Sequence, residues 1–433
     1  MSHTAVRGAG IRPRRVAAPS WEWDGSTGVT LKQAAPAAYR LVWLSMLLLL
    51  AGGLCTVLSV SVAEGLTGGD RYEYFRPQAI AAAIGLLLLV GISRLDYRRL
   101  RAFSMFFLGL IALFLVLVHV PQFGASEGGS ASWFVLGPLN FQPSEFAKLA
   151  VIMAGAHLLS MRKVHPGDFA SYMLPFGLIG LGACGLVVLE GDLGTAVIMA
   201  GLVLGLLWLA GMKGGQWLLV AGTMTAAAAG LIFSNAERMS RIFSFIDPSA
   251  DPQGSSYQLW QSLMALGRGG WFGVGPGESV QKYQYLPKAH TDMIYSILGE
   301  EFGLLGAGLV LLLFGVFAMS CWRLARQCTD PMGKYLIAGC GMLVTLQAVV
   351  NIGGVIGALP LTGVPLPFIS YGRSSLLAML MAVGLILAVA RRATIGPAPA
   401  RAVRYDNAKY DNVTRIDRRR RDGGPRGARP GVS

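Results

Sequence analysis

Asp292 follows His290 by two residues in the run Tyr285-Leu286-Pro287-Lys288-Ala289-His290-Thr291-Asp292, just ahead of an apolar stretch carrying Glu300 and Glu301. A carboxylate there could act as general base toward a hydroxyl, given hydrogen-bond reach and a suitable pKa. It could equally cap the helix that follows. Glu145 and Lys148, in Phe141-Gln142-Pro143-Ser144-Glu145-Phe146-Ala147-Lys148, lie three apart and so share a helix face. They read either as a structural ion pair or as a site where Lys148 holds an anionic group. Asp192, in Glu190-Gly191-Asp192-Leu193-Gly194-Thr195, suits an N-cap. Leu366–Ser375, with a Pro, a Gly and hydroxyls, suggests a bent or closely packed helix start.

The elements that must position these residues are membrane spans. Of 433 residues, 53% are hydrophobic and only 14% charged, well below the quarter or so usual in soluble domains. The apolar residues come in runs long enough to cross a hydrocarbon core about 30 Å thick. Windows of about 19 residues give about ten helices, near 40–62, 77–93, 102–120, 144–161, 170–189, 193–211, 216–234, 293–321, 334–358 and 366–390. The expected fold is therefore all-α and polytopic. Charge sets its orientation. Arg94, Arg98, Arg99, Arg101, Arg162, Lys163, Lys213, Arg323, Arg326 and Lys334 fall in alternate loops, and both ends of the chain are basic. Those loops and both termini belong in the cytoplasm, which places all four polar segments outside.

The same distribution disposes of nucleic-acid binding as the meaning of a +14 net charge. The basic tail suits anionic lipid or an acidic partner. Residues 1–39 and 391–433 read as disordered cytoplasmic ends around a membrane domain at 40–390. Within it, the outer loop at 235–292 is too aromatic for disorder and is expected to fold on the membrane surface. Its glycines, from Gly267 to Gly277, match no nucleotide loop and are expected to make turns. Neither the 5 cysteines nor the 5 histidines show metal-site spacing, and no cofactor is evident.

Taken together, the segments resemble the SEDS (shape, elongation, division and sporulation) family. Trp133 with Phe141–Lys148, Asp192-Leu193-Gly194-Thr195, Leu286–Asp292 with Gly299-Glu300-Glu301, and Leu366–Ser375 occur in the family's order and cover nearly the whole chain. The run Ser279-Val280-Gln281-Lys282 before Tyr285-Leu286-Pro287 looks more like the septal, FtsW-type branch than the RodA-type elongation branch.

The resemblance implies a ten-span peptidoglycan glycosyltransferase in the bacterial cytoplasmic membrane, at the division septum, polymerising lipid II on the outer face. A class B penicillin-binding protein, and other divisome proteins, would be its partners. It assigns catalysis to Asp292 and substrate binding to Lys148, Glu145, Gln142, Asp192, His290 and Trp133. The pyrophosphate of the leaving lipid would meet Lys148 first and Arg76 second, with a divalent cation such as Mg able to share the charge. The sequence departs from the family where Ser132, Pro77, Lys288, Gly191 and Arg373 stand in place of its usual residues. A lipid II flippase or transporter, and a non-catalytic scaffold, are the rival classes. Against transport, the polar residues gather on the outer side rather than at mid-membrane.

Overall fold

A computed structural model describes residues 30–66, 70–120, 124–127, 130–136, 139–161, 168–283 and 285–393. The far N-terminal segment and the basic tail expected to be disordered lie outside the described residues, apart from 30–39 and 391–393. Residues 36–39 already belong to the first long helix, and Leu31 is buried with its N–H on the Ala393 carbonyl at 2.9 Å.

All ten expected spans are helical. They are α1 (Pro36–Leu66), α2 (Phe75–Arg94), α3 (Leu100–Leu117), α4 (Pro143–Met161), α5 (Leu178–Leu189, entered through a π turn), α6 (Leu193–Leu209), α7 (Gly214–Phe233), and, after two helices of the outer loop, α8 (Ala236–Ile246) and α9 (Tyr257–Gly269), α10 (Ile294–Gln327), α11 (Pro331–Val355) and α12 (Arg373–Arg392). Among the described residues 8 are long and apolar enough to cross a membrane. The other two expected spans are α6, apolar over 17 residues, and α4, which carries Glu145 and Lys148. Large apolar side chains such as Leu87, Phe106, Leu218 and Leu312 are exposed, an arrangement stable in lipid rather than water. The protein is an all-α, polytopic membrane protein.

Helices α4 and α12 form the centre. Almost every residue of α4 from Pro143 to Ala156 is buried, as expected of a helix with neighbours all round. Small residues permit the approach. A Cβ on Gly339 of α11 would stand 2.6 Å from Ile152, and one on Gly155 would stand 2.7 Å from Phe176.

Three departures from the expected helices bear on the site. The last span begins at Arg373 rather than at 366, because Phe368 is left-handed (φ 66°) and Ser370 folds back to accept the Leu366 N–H at 2.7 Å. Second, three short strands, β1 (Gly124–Glu127), β2 (Ser130–Leu136) and β3 (Leu139–Phe141), make a small antiparallel sheet ahead of α4. Third, α10 is broken at Gly303 (φ 66°, ψ −166°). The glycine-rich stretch makes the expected turns, with positive φ at Gly270, Gly273, Gly275 and Gly277. It also takes up backbone groups at the break: Val274 and Gly275 donate to the carbonyls of Glu300 and Glu301 at 2.9 and 3.1 Å, and Leu304 and Leu305 donate to Gly270 and Trp271 at 2.9 and 3.2 Å. At membrane depth an unpaired backbone group costs several kcal/mol, so this pairing makes the break tolerable.

Candidate active site

The outer ends of the helices are tied together. Gln78 donates to the Ser370 carbonyl at 2.9 Å and accepts from Gly372 N at 3.2 Å. Gly194 is pressed so closely on the Thr362 carbonyl that a Cβ would stand 2.4 Å away. Tyr371 N donates to the His290 carbonyl at 2.9 Å. These ties bring the segments around residues 290, 192 and 359–372 to one end of the bundle. The basic loops lie at the other, where Arg392 reaches the Arg94 carbonyl at 2.8 Å.

Asp292 closes the turn before α10. Lys288 begins that turn in the left-handed region (φ 53°), a conformation uncommon for a residue with a side chain and frequent near functional sites. The Lys288 carbonyl then accepts from Thr291 N at 3.1 Å. Asn351 fixes the turn from behind, donating to the backbone carbonyls of Asp292 at 2.9 Å and Val364 at 2.8 Å. The Asp292 carboxylate lies against Gly363, where a Cβ would be 3.6 Å from its Oδ2. Capping, the other reading of this aspartate, does not occur: Met293 occupies the cap position of α10, with no side-chain cap bond. Among the described residues the Asp292 carboxylate has no hydrogen-bond partner. Asp192 does cap, accepting from Thr195 N at 2.9 Å.

A cavity of about 240 Å³ opens over Asp292. Its far wall is the polar face of α8, Glu237, Ser240, Arg241 and Ser244, with Gln258 of α9 and Lys288 completing it. Helix α8 starts where Asn235 caps Glu237 N at 2.9 Å, and it turns Phe243 (62% exposed) and Ile246 (68% exposed) outward. Burial pushes the Asp292 carboxyl up to about 6; Lys288 and Arg241 pull it down, while Asp192 pushes it further up. A group near 6 is ionised at neutral pH and basic enough to accept a proton. Burial, then Lys288, lowers His290 to about 4, so its ring is neutral. That ring stacks on Tyr74 at 4.0 Å and meets Tyr371 edge-on at 5.7 Å.

The remaining expected residues form a second cluster or stand apart. Lys148 is wholly buried, its amine on Glu145 at 2.8 Å and Gln347 at 2.7 Å, and Gln347 continues to the Pro365 carbonyl at 3.0 Å and Ser375 at 3.1 Å. Gln142 reaches Asp192 at 3.4 Å and its N–H donates to Ser374 at 3.1 Å. Glu190, beside Ser144, is raised to about 8 by burial and by Asp192. Arg76 pairs with Asp70 at 3.3 Å on the surface, and Trp133 lies on β2. Neither Lys148, Arg76, His290 nor Trp133 lines the cavity. Glu300 and Glu301 anchor the glycine-rich stretch instead: Glu300 accepts from Ser279 and Val280 N, and Glu301 from Ser59 at 2.6 Å and Lys282 at 2.9 Å.

Arg241 and Asn351 are the residues that reading the sequence missed. Each left a trace. Arg241 sits one turn after Glu237 in an amphipathic stretch behind a capping Asn235, and Asn351 is an amide inside an apolar run.

Comparison with known proteins agrees with this architecture. A family model described as "Cell cycle protein" (FTSW_RODA_SPOVE) matches residues 39–395. The probable peptidoglycan glycosyltransferase FtsW of Thioalkalivibrio sulfidiphilus is 41% identical over 372 residues, covering 84% of this chain and 92% of the relative. The crystal structure of the rod shape determining protein RodA of Thermus thermophilus superposes with a TM-score of 0.61 at 30% identity, over 81% of this chain and 95% of that one. A chain from a peptidoglycan synthase complex, solved to show how polymerization and crosslinking are coordinated, gives 0.64 at 30% identity, over 78% and 97%.

Proposed function

The chain belongs to the FtsW/RodA/SpoVE family of cell cycle proteins, and from that premise we propose that it is a peptidoglycan glycosyltransferase polymerising lipid II on the outer face of the membrane. The observation that carries the reading is Asp292: a carboxylate raised to about 6, free of any capping bond, on the floor of a cavity. Asp292 takes the proton of the acceptor sugar hydroxyl as that oxygen bonds to the anomeric carbon of the donor. The bond from that carbon to the lipid pyrophosphate breaks, and the pyrophosphate leaves with the electron pair. The basic loops opposite the cavity support its outward orientation.

The chain's likeness to a member of a synthase complex that polymerises and crosslinks supports a class B penicillin-binding protein as partner. Relatives named FtsW support work at the division septum. Among the described residues no group of three or more His, Cys, Asp or Glu could hold a metal ion. The test is polymerisation of lipid II by the purified chain with its transpeptidase partner. Asp292→Asn should yield no polymer while still binding lipid II. Normal polymerisation by that variant would remove the mechanism, and lipid II translocation without polymer would mean a flippase.

A further inference from the structure

Resting on Asp292 as the base, we infer that Arg241 and Lys288 form the diphosphate subsite of the cavity, gripping the anionic link between donor sugar and lipid tail. A departing pyrophosphate gathers negative charge at the edge of a low-dielectric membrane and needs fixed cations there. Two buried lysines elsewhere, Lys148 and Lys282, are committed. Lys148 is closed off by Glu145 and Gln347. Lys282 bonds Glu301, Ser59 and the Gly277 carbonyl at 2.9, 3.0 and 2.6 Å.

Arg241 and Lys288 instead line the cavity itself, and the charge of each acts on the Asp292 carboxyl. Arg241 gives one bond to Glu237, at 3.0 Å, and its side chain is 52% exposed. A guanidinium carries five donors, so the fork that suits a phosphate is still on offer. Lys288 is exposed and, among the described residues, has no ion pair; it supplies a compact second charge.

The order of groups across the cavity also fits. A lipid-linked sugar carries its diphosphate between the sugar and the tail. With the sugar at Asp292, a diphosphate at Arg241 would release the tail past Phe243 and Ile246, the exposed apolar face of α8. Such a face rests in the lipid interface.

The test measures equilibrium binding of radiolabelled undecaprenyl pyrophosphate, and separately of undecaprenyl alcohol, to the full chain in detergent micelles. Arg241→Gln and Lys288→Gln should each weaken pyrophosphate binding about tenfold, and the double variant about a hundredfold, as expected for loss of charge-assisted bonds. Binding of the alcohol should not change, which separates an anion site from lost folding, and Arg241→Lys should recover part of the affinity. Pyrophosphate binding unchanged in the double variant would overturn the subsite. Asp292→Asn in the same assay keeps the two readings apart. If it binds pyrophosphate normally and still polymerises, the base assignment falls while the subsite stands.

Discussion

Asn351 holds Asp292 by its backbone and leaves its carboxylate alone. The amide, near the C-terminal end of α11, donates to the Asp292 carbonyl at 2.9 Å and to the Val364 carbonyl at 2.8 Å. One side chain therefore sets the distance between the turn carrying Asp292 and the 359–365 segment forming the cavity's other edge. Asn351→Leu should lower kcat for polymerisation by about 10- to 100-fold with a smaller change in KM, since a displacement near 1 Å is enough for such a loss. It should also cost roughly 1–3 kcal/mol of stability for the carbonyls left unpaired. Steady-state kinetics and thermal unfolding of the purified variant check both.

The pH dependence follows from the same carboxyl. General-base action needs the ionised form, so kcat/KM should climb as pH rises through about 6, the value to which burial brings Asp292. The effect on stability has the opposite sense. Between 3.8 and about 6 the folded chain holds a proton that the unfolded chain has released, so the cost of burying the charge grows over that window and is complete above it. Asp292→Asn should therefore stabilise the protein at pH 8, on the order of 3 kcal/mol, and hardly at all at pH 4. Thermal unfolding at the two pH values measures this; equal shifts at both would contradict the raised carboxyl.

Lys148→Ala would leave the buried Glu145 side chain without its partner in the centre of the bundle. The expected loss is about 3–5 kcal/mol, seen as poor accumulation in membranes. Lys148→Met combined with Glu145→Gln should restore most of the folded protein, because the charge and its partner leave together. Pyrophosphate binding per folded molecule should match the wild type. A selective loss of that binding in the well-folded double variant would return Lys148 to the substrate site.

Gly303→Ala should be severe. The position has φ 66° and a Cβ there would stand 2.4 Å from Gly273 N, so both backbone strain and a clash oppose it. A loss of roughly 3 kcal/mol or more is expected. Gly52→Ala is the matched control: nothing lies within 4 Å of its Cβ, and its stability should stay within about 0.5 kcal/mol of wild type.

Much of this was legible in the sequence because the lipid environment enforces it. Ten apolar runs had to be helices, and the ten helices are there. Motif chemistry located Asp292 but left open whether it caps or catalyses. Spacing cannot decide that; the cap is lost because Met293, not Asp292, takes the cap position. Lys148 was equally ambiguous, since its depth suits either an ion pair or a ligand, and Gln347, 199 residues away, closes off its second direction. Arg241 was obscure for another reason. It lies in a loop helix whose polar face gains meaning only when α8 is seen to roof Asp292.

The break in α10 has a consequence for how the protein is made. Residues 270–275 supply partners to backbone groups that the span cannot satisfy by itself. Those residues precede the span in the chain, so they must cross to the exterior and fold back before the span can settle in its final form. A peptide tag or protease site inserted between Trp271 and Gly275 should therefore harm membrane integration itself, whereas a tag near Ser249, in an exposed turn on the same side, should be carried without harm.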